Sequence, residues 1–163
     1  FPTRRSSDLV HPRYANENIA IVVNGDVTVL DIDTKDNGMA MWKKISSMFP
    51  PIETPMVKTV SGGLHLYFKY NSSLKSSIRL KFNGEVTPLG SLPSGKNVTP
   101  KGSRSLLQGV IGWDLKNNGL VVAPPSSING VQYKWVSGKS ILTPLAEMPD
   151  WLVKIIKEGQ RTR

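Results

Sequence analysis

The sequence predicts an α+β domain in which short strands outnumber helices. Apolar, β-branched runs such as 18–23, 27–32 and 120–123 recur along the chain. Tight-turn signals, among them Asn24-Gly25 and Gly62-Gly63, separate several of these runs. Helical spacing is confined to two stretches, 38–49 and 149–157. At 163 residues the chain is one domain or most of one, and its 39% hydrophobic residues suffice for a core.

Composition narrows the function. The chain has no cysteine, which removes disulfides, iron–sulfur clusters and cysteine-ligated zinc and fits a reducing, intracellular compartment. No apolar run approaches the roughly 20 residues of a membrane span, and neither a secretory signal nor an internal repeat is visible. The formal charge of +9 and pI near 9.9 favour a polyanionic partner, of which nucleic acid is the commonest. Solubility is the bland alternative, and charge alone does not separate the two. Residues 1–9, Phe-Pro-Thr-Arg-Arg-Ser-Ser-Asp-Leu, read as the translated sequence of a sequencing-adapter oligonucleotide, an assembly scar to be excluded from fold reasoning. Leaving out Arg4, Arg5 and Asp8 removes one net positive charge, so +8 remains. The domain is accordingly expected over residues 10–157, N-terminally truncated and lacking its first elements.

In chain order, residues 18–23 and 27–32 read as two paired strands joined through Asn24-Gly25, the second buried. The second runs into Asp31-Ile32-Asp33, whose i, i+2 spacing puts both carboxylates on one strand face. Two such carboxylates repel unless a cation lies between them, and hard oxygen ligands suit Mg²⁺ or Mn²⁺. The competing reading is a strand running out into the polar turn Thr34-Lys35-Asp36-Asn37-Gly38. Residues 38–49 follow with Met41, Ile45 and Met48 at helical spacing beside Trp42 and Phe49, and Pro50-Pro51 stops the helix. These Met and Trp side chains read as core.

Residues 57–70 form the second informative stretch. Lys58-Thr59-Val60 and 64–70 read as strands, with Leu64, Leu66, Phe68 and Tyr70 alternating against His65, Tyr67 and Lys69. Gly62-Gly63 permits a sharp turn and a close backbone approach by a ligand. With the Ser61 hydroxyl and His65, the stretch suits a triphosphate cradle built on backbone N–H groups. A plain Gly-Gly hairpin with a solvent-facing histidine is the alternative.

Residues 71–108 are the least legible: a strand over 78–82, then a long basic loop with Arg79, Lys81, Lys96, Lys101 and Arg104 scattered through and around it. The third stretch, 110–126, gives a strand ending in Trp113-Asp114 and a turn at Asn117-Asn118-Gly119. A buried strand over 120–123 follows, stopped by Pro124-Pro125. Lys116 shares the Asp114 face by the i, i+2 rule. Tyr133 and Trp135 alternate in a further strand, and 149–157 is an amphipathic helix with Leu152, Ile155 and Ile156 inward and Asp150 as N-cap. Residues 158–163 read as the start of a linker to a missing C-terminal region.

Three motifs in order, Asp31-Ile32-Asp33, Ser61-Gly62-Gly63-Leu64-His65-Leu66-Tyr67-Phe68, and Asp114 followed by Gly-Leu-Val-Val-Ala-Pro-Pro-Ser and Tyr133-x-Trp135, resemble a known family. Over residues 18–136 the chain is similar to the primase–polymerase domain of the archaeo-eukaryotic primase superfamily, in its plasmid and large-DNA-virus form. The resemblance implies a twisted, mostly antiparallel sheet of RNA-recognition-motif-like kind flanked by helices, and template-directed nucleotidyl transfer. It implies Asp31, Asp33 and Asp114 as catalytic residues holding two Mg²⁺ or Mn²⁺ ions. It implies Ser61, Gly62, Gly63, His65 and Lys116 as nucleotide-binding. DNA template and primer, nucleoside triphosphates and a fused or associated helicase are the implied partners. The zinc-binding stem of some relatives is not expected here, since the chain has no cysteine.

Two other classes compete with this reading. A non-catalytic basic module would grip single-stranded DNA through Lys and Arg, with Tyr67, Tyr70, Tyr133 and Trp135 as stacking platforms. Against it stand three acids, which weaken binding to a polyanion unless metals neutralise them. A metal-dependent nuclease also uses clustered carboxylates, but the Ser-Gly-Gly-x-His stretch favours a nucleotide substrate.

Overall fold

A computed structural model of the chain describes residues 17–83 and 107–161. The readings made on residues 1–9 and on Lys96, Lys101 and Arg104 lie outside the described residues. The fold is α+β. Among the described residues, nine strands run in chain order as β1 (Ile19–Ile32), β2 (Met56–Lys58), β3 (Leu64–Lys69), β4 (Lys81–Asn83), β5 (Gln108–Val110), β6 (Trp113–Ala123), β7 (Ser127–Ile128), β8 (Val131–Gln132) and β9 (Lys134–Trp135). Helix α1 (Gly38–Ser46) follows β1, and α2 (Asp150–Arg161) closes the described chain. The main sheet has the order β6-β1-β3-β2-β9, with every pair antiparallel.

The alternation of β1, β3 and β6 sorts side chains onto two unlike faces. Leu30, Ile32, Leu66, Phe68, Trp113 and Leu115 face the helices and pack with Trp42, Ile45, Trp151, Leu152, Ile155 and Ile156 into the main core. Trp151 is its keystone: Phe49 stacks on it at 4.3 Å and Trp42 at 6.2 Å, while Trp42 meets Trp113 edge-on at 5.9 Å. The opposite face carries only a small apolar cluster of Val23, Val29, Val57, Tyr67 and Val121, against which Tyr133, Trp135 and Leu145 lean.

Both Asn-Gly signals behave differently from their sequence reading. Asn24-Gly25 does not end a strand: β1 passes through it with Gly25 at φ 84°. Asn117-Asn118-Gly119 likewise lies inside β6, with Gly119 at φ 95°. The two segments are partners, Val23 opposite Gly119 and Asn24 opposite Asn118, and the register then slips before Val29 pairs with Lys116. The turn residues thus build one shared bulge in a long strand pair. Within it Thr28 is fully buried; its hydroxyl donates to Asn117 Oδ1 and accepts the Asn71 N–H at 2.9 Å. Asn117 Nδ2 in turn donates to the Asn71 and Leu74 carbonyls at 3.0 and 2.7 Å. Two further corrections concern 120–123, where burial alternates and Leu120 is exposed, and Thr59-Val60, which belongs to the β2–β3 turn.

The helices also differ in detail. α1 ends at Ser46, before the two prolines, so that Phe49 can fold back onto Trp151. α2 continues through Arg161, so residues 158–161 are helix and not linker. Asp150 lies inside its first turn, where a carboxylate favours the helix dipole, while the Pro149 carbonyl accepts the Leu152 and Val153 N–H groups.

Candidate active site

Register assembles the site. Asp31 on β1 lies directly opposite His65 on β3 and Asp114 on β6, so the three share one row on the open face of the sheet. The adjacent row on the same face holds Lys116, Val29 and Tyr67. Sequence motifs far apart in the chain therefore meet because three antiparallel strands place them side by side. His65 Nε2 stands 3.5 Å from Asp31 Oδ1. The histidine is buried and not solvent-facing, its ring 6.0 Å from that of Tyr133. Among the described residues, the buried His65 Nδ1 and Tyr67 Oη find no hydrogen-bond partner, and both residues lie on this face.

Asp33 lies just past the end of β1, where its N–H donates to the Gly112 carbonyl at 2.7 Å. The chain there packs backbone to backbone: a Cβ on Gly112 would sit 2.1 Å from the Lys35 carbonyl oxygen. The loop 33–38 is thereby held tightly against the start of β6, close to Asp114.

Arg79 completes the arrangement, and sequence reasoning left it among scattered loop cations. The segment carrying it runs beside β6, with Ser77 bridged to Leu115 and the Leu80 N–H donating to the Trp113 carbonyl at 3.0 Å. Arg79 adopts a left-handed backbone, φ 54°, and its own N–H donates to Asp114 Oδ1 at 2.7 Å. Its guanidinium donates to Asp33 Oδ2 at 2.6 Å and lies 3.3 Å from Asp36 Oδ2 and 3.6 Å from Asp114 Oδ1. Burial works against the charge on Asp33, but the Arg79 hydrogen bond, the Lys35 and Thr34 N–H groups and the guanidinium charge together hold the carboxyl below its usual range. Arg79 is held above its usual range by the hydrogen bond to Asp33, against burial, with the charges of Asp114, Asp33 and Asp36 adding.

The β2–β3 turn corrects one expectation. Gly62 N–H donates to the Thr59 carbonyl at 3.0 Å and Gly63 N–H to Thr59 Oγ1 at 2.9 Å, so both are engaged inside the turn and not directed at a phosphate. The close approach at Gly63 is to the chain itself: a Cβ there would lie 2.2 Å from the Ile32 carbonyl oxygen. Ser61 remains exposed, with its hydroxyl 3.4 Å from that of Thr59. Beside it opens a cavity of about 680 Å³ lined by Lys58, Thr59, Ser61, Gly62, Gln132 and Lys134 among others.

Among the described residues, no three Asp, Glu or His side chains converge at metal-ligating distances. The donor chemistry nonetheless suits a hard divalent ion: Asp31 and Asp114 are like charges in directly opposed positions, and Asp33 and Asp114 already share one cation, the Arg79 guanidinium.

Fold and site together define an α+β domain whose sheet carries an acidic cluster on the face away from the helices. The chain belongs to the family of the bifunctional DNA primase/polymerase N-terminal domain, whose sequence model matches residues 4–151. No curated protein and no solved structure gives a significant match. DNA and nucleotides are the substrates that this family implies, with nucleotidyl transfer as its chemistry. No helix among the described residues is long and apolar enough to cross a membrane.

Proposed function

We propose that this domain carries out template-directed nucleotidyl transfer, with Asp31, Asp33 and Asp114 holding two Mg²⁺ or Mn²⁺ ions. The observation that carries the reading is the strand register that sets Asp31, His65 and Asp114 in one row, with Asp33 tied to Asp114 through Arg79. Bound there, a metal pair would neutralise the attacking and leaving oxygens of an in-line displacement at a phosphorus atom. The chain supplies the rest. Ser61, at the rim of the cavity that Lys58 and Lys134 flank, is suited to donate to a triphosphate. Gly62 and Gly63 shape that turn through their backbone conformation. Lys116, on the Asp114 face, offsets the charge of the departing pyrophosphate. His65, beside Asp31, is suited to help hold the phosphates of the nucleotide. We further assign the domain to replication inside the host cell of a virus, plasmid or other mobile element, alongside a fused or associated helicase.

The DNA-binding-module reading is weakened at its stacking platforms, since Tyr67 is only 3% exposed and Tyr133 and Trp135 are partly covered, leaving Tyr70 as the exposed ring. Calorimetric titration of a deoxynucleoside triphosphate with Mn²⁺ tests the proposal. Binding that needs Mn²⁺ and is lost in Asp31→Asn and His65→Ala supports it, and primer extension should then fall at least about a hundredfold in Asp114→Asn. A folded wild-type chain that binds no nucleotide would leave the binding module standing, and metal-dependent shortening of DNA would indicate a nuclease.

A further inference from the structure

We propose that Arg79 is the resident counter-ion of the acidic site, exchanged for the divalent cation when metal binds, so that this residue sets how much metal the site requires. The inference rests on the metal reading above. One guanidinium reaches Asp33, Asp36 and Asp114 at 2.6, 3.3 and 3.6 Å, and the same residue's N–H holds Asp114 at 2.7 Å. These are lone pairs that a metal would take: Asp33 Oδ2 and Asp114 Oδ1 both lie against the guanidinium. The position is built into the fold. Ser77 and Leu80, on either side, are hydrogen-bonded to β6, and Arg79 holds a left-handed backbone between them. Its anchor is therefore fixed, and the exchange would displace the side chain alone. The arrangement accounts for the lack of a metal-ligating triad among the described residues. With the guanidinium seated, Asp33, Asp36 and Asp114 are engaged by a planar, multi-donor cation in place of a spherical one.

Two consequences separate this from a merely structural ion pair. Without metal, Arg79 relieves carboxylate repulsion, so replacing it should destabilise the chain. With metal, Arg79 competes, so replacing it should tighten metal binding. Asn tolerates the positive φ that Arg79 adopts, which makes Arg79→Asn the variant of choice, with Arg79→Gln as a second. Mn²⁺ binding is read by the loss of the free-ion electron paramagnetic resonance signal, without nucleotide or DNA, and thermal unfolding is recorded in EDTA and in Mn²⁺. Both variants are expected to bind Mn²⁺ about tenfold more tightly than wild type, as loss of a charge-assisted hydrogen bond to the competing cation requires. They should melt lower in EDTA and recover more stability from Mn²⁺. Lys43→Gln, an exposed charge on α1, should change neither. Wild-type binding with folded Arg79 variants that bind no more tightly would overturn the exchange while leaving the metal reading intact. Absence of Mn²⁺ binding in every folded form would overturn both.

Discussion

At the level of single residues, the site's environment matters as much as its acids. Tyr67 lies in the row next to Asp31, with its hydroxyl buried and without a hydrogen-bond partner among the described residues. Burial, and then the Asp31 charge, push its ionisation above the ordinary value of 10.0. A group whose folded pKa is raised adds stability that is full below the unfolded pKa and is lost as pH rises past it. The Tyr67 contribution should therefore be intact at neutral pH and erode above about pH 10. Tyr67→Phe should leave neutral-pH stability unchanged or higher, because it removes that buried hydroxyl. It should also flatten the alkaline decline, which denaturant titrations at pH 8 and pH 11 would measure. An identical alkaline decline in both proteins would show that Tyr67 is not the group involved. The residues that carry the site were unequally legible. Asp31, Asp33, Asp114 and His65 stood out because short motifs announce them. Arg79 did not, because its importance comes from a left-handed backbone and an adjacent strand that no local pattern encodes. Its one visible signal was a cation between two apolar residues, Ile78 and Leu80, at the start of an otherwise polar stretch.

At the level of elements, period-2 alternation revealed β3 and the end of β1 with the correct inward faces, and 3.6-residue spacing revealed both helices. The errors fell where turn chemistry was read locally. Asn24-Gly25 and Asn118-Gly119 are good hairpin signals in isolation, yet each lies opposite the other in one strand pair, where positive φ serves a bulge and not a reversal. Only the pairing partner decides between those uses. The Gly62-Gly63 hairpin was read correctly, but its tight contact was assigned to a ligand when the Ile32 carbonyl fills the space. This last point carries a prediction. Gly63→Ala places a methyl against backbone that cannot give way, beside the strand end that bears Asp31 and Asp33. It should cost about 2–3 kcal/mol in denaturant unfolding and weaken nucleotide binding with it. Gly138→Ala, at a turn whose built Cβ meets nothing within 4 Å, should leave nucleotide binding unchanged. Equal effects of the two substitutions on nucleotide binding would mean that the Gly63 contact does not position the site.

At the scale of the whole molecule, charge and fold pull in different directions. The chain carries +9 overall, yet acids gather at the candidate site, with Asp31 and Asp114 paired on the sheet and Asp33, Asp36 and Asp114 around Arg79. A polyanion is thus drawn to the protein in general and held off the site itself until cations balance it. Exposed lysines are spread over both sides of the fold, Lys43 and Lys44 on α1, Lys58 and Lys134 at the far edge of the sheet, and Lys154 and Lys157 on α2. This predicts two separable modes of association with a single-stranded oligonucleotide. Without divalent metal, binding should weaken linearly on a logarithmic salt scale, with a slope of about −0.7 for each phosphate neutralised. Asp114→Asn should not weaken that mode and should strengthen it slightly, since it removes a repelling charge. With Mn²⁺ and nucleotide present, the wild type should hold a primed template more tightly than it does without them, and Asp114→Asn should lose that gain. Fluorescence anisotropy at several salt concentrations measures both modes. A salt slope near zero would mean that the basic balance serves solubility alone. Equal loss of both modes in Asp114→Asn would mean that the acid supports the fold and not the seating of substrate.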